Sequence, residues 1–257
     1  LQRRLDITGT LDLNNNYALY IQNGGTLHVA STGVLRTTTG DSHLYFDAGA
    51  TGVTNFIADE GARIEVAAER TLRLYSDGEA GNQFSAHLDV TGEGTLSLNG
   101  GRFTLDGDSV IGGSGNYLLN LDLSGSGNIT LRDNFTWSGG NMSGSGRTVL
   151  DTSVTLSGTR YIDRELVIAE DRTLLLNDNA VLRSSDATNG GGRVTAIGTL
   201  AKGTGSGNAN LQYLDITGNI ESRGGLLRLY GYSAGQGSSM GGVLVSSLDA
   251  GGVLIES

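Results

Sequence analysis

The sequence predicts an all-β protein. Within that class it predicts a right-handed parallel β-helix (a β-solenoid) of roughly ten to thirteen coils, with residues 1–257 forming a single segment. Three observations carry this reading. Apolar and polar side chains alternate with period two, short motifs recur along the chain, and proline is absent while 42 of the 257 residues are glycine. Alternation is seen in Thr10-Leu11-Asp12-Leu13, Thr26-Leu27-His28-Val29, Arg63-Ile64-Glu65-Val66 and Thr95-Leu96-Ser97-Leu98. Each run has one apolar and one polar face, the pattern of a half-buried strand. Glycine, asparagine, aspartate and serine separate the runs and supply the positive-φ positions of turns. No window carries an apolar i, i+3, i+4, i+7 stripe of helix length.

Recurrence selects the kind of β fold. The pentad Leu-Asp-(Ile/Val/Leu)-(Thr/Ser)-Gly occurs at Leu5–Gly9, Leu88–Gly92, Leu121–Gly125 and Leu214–Gly218. Three copies follow a Gly-Asn pair: Gly81-Asn82, Gly115-Asn116 and Gly207-Asn208. The stretch from Leu72 to Gly81 resembles that from Leu227 to Gly235, which makes Tyr75 and Tyr230 equivalent. Degenerate repeats with turns of variable length suit a solenoid, in which each coil touches only its neighbours. A β-sandwich also has short strands and frequent turns, but it has no reason to reuse one pentad. Absent proline points the same way: a stacked strand has neighbours on both sides and uses its amides, and proline would delete a donor. Parallel crossovers are right-handed in nearly all cases, which gives the expected hand.

Composition excludes several functions. Without cysteine there is no disulfide and no sulfur-ligated metal. A net charge of −10 with one lysine, Lys202, gives no electrostatic footprint for nucleic acid or an anionic membrane. No apolar run approaches a membrane span. Both ends look cut from patterned sequence, so the chain is expected to be part of a longer one whose solenoid continues at each end.

Phe135-Thr136-Trp137-Ser138-Gly139-Gly140-Asn141-Met142-Ser143-Gly144 and the Gly-Thr-Leu strand starts at Gly9, Gly25, Gly94 and Gly198 resemble the repeats of large bacterial secreted and surface β-helix proteins. That group includes autotransporter passenger domains and filamentous-haemagglutinin-like adhesins. The resemblance implies an extracellular or cell-surface location and a structural or adhesive role, with glycans or proteins of a host or the environment as partners. It also links missing cysteine to export as an unfolded chain.

The alternative is a polysaccharide-active lyase or hydrolase. Such chemistry needs two carboxylates at a set separation. Asp106 with Asp108, and Asp163 with Glu165, alternate so as to share a face; Asp59-Glu60 and Glu170-Asp171 do not, if extended. Asp106 and Asp108 are also the candidate ligands for an isolated structural calcium, the one cofactor the composition leaves room for. The Gly-Ser-Gly-Asn turns ending at Asn116, Asn128 and Asn208 read as turns: neither a lysine nor a following helix accompanies them to make a phosphate cradle. Tyr230 and Tyr232 flank an expected turn and are the candidate carbohydrate contacts. Phe135 and Trp137 alternate with Thr136 and are expected in the core.

Overall fold

A computed structural model describes residues 1–14, 16, 18–49, 52–78, 81–185, 192–230, 240–241, 244–246 and 251–256. Every regular element among them is a β-strand, as the period-two alternation requires. The chain groups into two compact units, Leu1–Gly140 and Asn141–Ser257.

Three parallel ladders build the first unit. In one, Leu5, Leu27, Phe56 and Phe84 stand in register on the strands Arg4–Ile7, Thr26–Val29, Thr54–Ala58 and Asn82–Thr91. In the next, Leu11, Leu35, Ile64 and Val90 align. The third has six levels: Leu19, Leu44, Leu74, Leu98, Leu119 and Trp137. A strand thus pairs with one more than twenty residues away and not with its sequence neighbour, so the stacking is solenoid-like. From the second level on, the inward residues are almost fully buried, Leu27, Phe56, Phe84, Leu35, Ile64, Leu44 and Leu74 at 0% exposure. Each such side chain contributes about 1.5–3 kcal/mol by burial. Phe46, Phe56, Phe84 and Phe103 form one buried cluster with ring centroids 5.4–5.9 Å apart. Phe135 and Trp137 are core residues, as their alternation predicts.

The second unit repeats the scheme with aliphatic side chains. Leu166, Val194 and Ile216 align. Val154, Leu174, Leu200 and Ile220 form a second ladder, whose backbone register continues to Leu244 for five levels. Leu182, Leu211 and Leu229 lie on a third.

Turn backbones are used as fully as strands. The amide of Ala30 donates to Ile7 O (2.9 Å), that of Asp59 to Val29 O (2.9 Å) and that of Asp77 to Phe46 O (3.1 Å). Each ties a turn to the preceding coil, and proline there would orphan a buried carbonyl.

The pentad glycine marks a corner pressed against its neighbour. Gly125 has φ +100° and a Cβ there would lie 2.3 Å from Leu105 O; Gly218 has φ +103° and would meet Ala196 O at 1.9 Å. Both the conformation and the approach exclude a side chain. The first copy differs, for a Cβ on Gly9 would meet nothing within 4 Å. No earlier coil of the described chain lies against it.

Candidate functional site: an outward tyrosine ladder

In the six-level ladder Leu19, Leu44 and Leu74 point inward, so period two turns Tyr20, Tyr45 and Tyr75 outward. Parallel register then places one ring above the next. Centroids are 4.9 Å apart for Tyr20–Tyr45 and 5.1 Å for Tyr45–Tyr75, with planes 11° and 12° from parallel. Offset stacking of this kind adds about 0.5–1.5 kcal/mol per pair beyond burial. Tyr20 ends the stack half exposed, at 50%.

Two residues before Tyr45, His43 shares the outward face and lies 5.8 Å and 6.0 Å from the rings of Tyr45 and Tyr75. Burial, then the Arg73 charge, holds its imidazole below the ordinary value; Asp41 opposes them weakly. Asp41 itself accepts from Arg73 Nη1 (2.8 Å) and the Thr71 amide (2.9 Å), which anchors that cation.

Two residues after Tyr45 and Tyr75, on the same strand lines, come Asp47 and Asp77. Their carboxyls hydrogen-bond each other, and this contact, followed by the Gly49 amide and the Gln22 side chain, holds Asp47 below the usual carboxylate range. The Gly49 amide donates at 3.0 Å and Gln22 Nε2 at 3.1 Å. Asn82 Nδ2 donates to Asp77. Together Tyr20, Gln22, Tyr45, Asp47, Tyr75 and Asp77 line an outward groove of about 290 Å³.

A second outward cluster surrounds His28. Its Nδ1 lies 2.6 Å from Asp6 Oδ1 and its Nε2 3.0 Å from Asp59 Oδ1, one carboxylate on each neighbouring coil. Burial is the largest single influence and lowers its pKa, but the two carboxylates together outweigh it and leave the value raised. Arg4 Nη2 also approaches Nδ1, at 2.7 Å. Nδ1 cannot donate to Asp6 and accept from Arg4 at once. The protonated ring satisfies both carboxylates, and Arg4 keeps its own bond to Asp6 through Nε at 2.7 Å.

The second unit buries cations. Lys202 is fully buried, and its Nζ donates to Asp178 Oδ1 (2.6 Å), Gly203 O (3.0 Å) and Gly205 O (3.1 Å). A lysine therefore does accompany the Gly205–Asn208 turn, contrary to the sequence expectation. All three of its protons are committed to holding that turn, so none is left for an anion. Arg164, 2% exposed, donates to Gly146 O (3.0 Å) and Ser143 O (3.3 Å), filling the place where register shifts between Ser143 and Arg147. Burial brings its guanidinium down to about 10.

The residues singled out from sequence fall elsewhere. Asp106 and Asp108 are both exposed at a turn. Asp108 accepts from the amide and Nδ2 of Asn128 (3.2 and 3.0 Å), one coil on, so it serves as a turn fastener. Asp163 accepts from Ser184 Oγ (2.8 Å) and from the amide (2.7 Å) and Oγ (2.6 Å) of Ser185, and Glu165 accepts from Thr195 Oγ1 at 3.2 Å. Among the described residues no group of three or more His, Cys, Asp or Glu is arranged to hold a metal ion. Tyr230 closes the strand Gly225–Tyr230, where its hydroxyl accepts from Arg228 Nη1 at 3.0 Å; Tyr232 lies outside the described residues. The tyrosine ladder itself is legible as a thrice-repeated Leu-Tyr pair, Leu19-Tyr20, Leu44-Tyr45 and Leu74-Tyr75. Its irregular spacing, 25 and then 30 residues, hid the alignment.

Fold and site together define the class: an all-β protein of parallel, solenoid-like stacked strands carrying an outward aromatic groove. No family model matches the chain, and neither a curated protein nor a solved structure matches it.

Proposed function

We propose that the chain is a right-handed β-helical segment of a bacterial cell-surface or secreted protein, with a non-catalytic structural and adhesive role. The levels counted unit by unit, six and five, support ten to thirteen coils, and the handedness of parallel crossovers supports the hand. Glycans or proteins outside the cell are the partners, and the solenoid continues in flanking sequence.

One observation carries the non-catalytic reading. Outward ionisable groups are spent on joining coils: Asp12–Arg36–Glu65 at 2.6 and 3.6 Å, Asp6–His28–Asp59, and Asp163 with two serines. The alternative, a polysaccharide-active enzyme, draws on the Asp47–Asp77 pair beside the groove. Those carboxyls touch, whereas glycoside hydrolysis works with pairs about 5 Å or more apart. The test is incubation with neutral and acidic polysaccharides, measuring reducing ends and unsaturated products. No turnover is expected. Robust turnover, lost in Asp47→Asn or Asp106→Asn, would overturn this reading in favour of the enzyme.

A further inference from the structure

We infer that the groove along Tyr20, Tyr45 and Tyr75 is a binding site for an uncharged, hydroxyl-rich glycan chain. The inference rests on the adhesive reading above and names its ligand class.

The groove has three properties. It is aromatic at intervals: rings repeat every 4.9 and 5.1 Å along the stack, a step close to the length of one pyranose residue. The stacked rings cover one another's faces, so they offer edges and hydroxyls along the groove, while half-exposed Tyr20 presents its ring. A pyranose C–H face packs on Tyr20, and successive hydroxyls meet successive phenols.

It also has directed polar groups at one side. Asp47 and Asp77 are acceptors already held in place by the Gly49 amide, Gln22 and Asn82. Acceptors fixed before the ligand arrives lose little entropy on binding. Sugar hydroxyls are donors of the matching kind, and the Gln22 side chain adds a polar contact beside them.

Charge then selects the class of glycan. No lysine or arginine is among the described residues lining the groove, and the chain carries a net charge of −10. A uronate or sulfated chain would meet Asp47 and Asp77 without a countercharge and be repelled. Few described surfaces compete with this one. The groove beside Lys202 and Asp178 is closed to a ligand by saturated hydrogen bonds, and the corner holding His87 and Asp89 carries no exposed aromatic ring among its lining residues.

The experiment is binding of the intact chain to an immobilised panel of neutral, amino-sugar and uronate oligosaccharides, followed by calorimetry with the best neutral hexasaccharide. Neutral chains are expected to bind, uronates to fail, and Tyr20→Ala to weaken binding at least tenfold. Tyr75→Phe, which keeps the stack and removes one hydroxyl, is expected to weaken it severalfold with an unchanged melting curve. Tyr161→Ala in the second unit is the aromatic control and is expected to bind as wild type. Binding that survives Tyr20→Ala and Tyr75→Phe, preference for uronate or amino-sugar chains, or no binding to any neutral oligosaccharide at millimolar concentration would overturn the site. The last result would leave the structural reading standing. Cleavage of the bound chain would instead overturn the structural reading.

Discussion

The two units reach the same parallel stacking with different interiors. The first buries rings: Phe46, Phe56, Phe84 and Phe103 cluster inside, and Tyr20, Tyr45 and Tyr75 stack outside. The second buries aliphatic side chains and two cations, Lys202 and Arg164, each tied to backbone carbonyls. Parallel register makes every interior choice a column, because the residue at one level meets its equivalents above and below. A column of rings gains area and stacking. A buried cation is tolerated only where turn carbonyls saturate it, since an unpaired charge there is costly. The contrast shows that register fixes the architecture, while the filling of the column is free to differ.

The largest expected break is in the first unit. Phe84→Ala removes a ring contacted by Phe56 and Phe103 at 5.4 and 5.5 Å and should cost about 3–5 kcal/mol, measured by chemical denaturation. Loss under 1 kcal/mol would mean the column collapses onto the gap and is not rigid.

Next comes the pentad corner, which both units share. Gly218→Ala should cost about 2–4 kcal/mol through strain at positive φ and collision with Ala196 O. Gly9→Ala, the same motif without a neighbour, should stay within about 0.5 kcal/mol. Equal effects at the two sites would show that the motif acts locally and not by coil stacking.

Lys202→Met tests the second unit's interior. Two turn carbonyls lose their donor, but Asp178, 39% exposed, regains water. We expect a loss of about 1–3 kcal/mol, with amide exchange accelerating first around 203–207. A stabilised variant would show that the buried ammonium is a burden the turn does not need.

The smallest effects are two pH dependences of opposite sign within the first unit. His28 has its pKa raised above the ordinary 6.5. Its stabilising contribution is complete below that value and is lost as pH rises through the folded pKa. His43 has its pKa lowered; its contribution is present above 6.5 and is lost as pH falls through its folded pKa. Melting curves from pH 5 to 8 should therefore respond to His28→Gln chiefly on the acid side and to His43→Gln chiefly on the alkaline side. The same profile for both variants would contradict the assigned environments.

Period two, glycine-rich turns and the returning pentad made the strands and their stacking readable from sequence. Leu27, Leu35, Leu74 and Trp137 could be assigned inward from alternation alone. The binding groove was not readable in that way. Tyr230 and Tyr232 draw attention because they are close in sequence, yet the stacked tyrosines are 25 and 30 residues apart. Asp47 and Asp77 were passed over because sequence proximity favoured pairs such as Asp106 and Asp108. In a stack, proximity along the chain places groups at one turn, while proximity across coils makes a surface.

The sequence by itself determined that this chain forms half-buried strands joined by glycine-rich corners, since alternation and positive-φ turns are local properties of neighbouring residues. Tertiary structure alone decided which strand stands on which, because turn lengths vary and only backbone hydrogen bonding between coils sets the register. That register brings Tyr20 over Tyr45 and Tyr75, sets His28 between Asp6 and Asp59, and seals Lys202 beneath a turn that seemed to have no lysine.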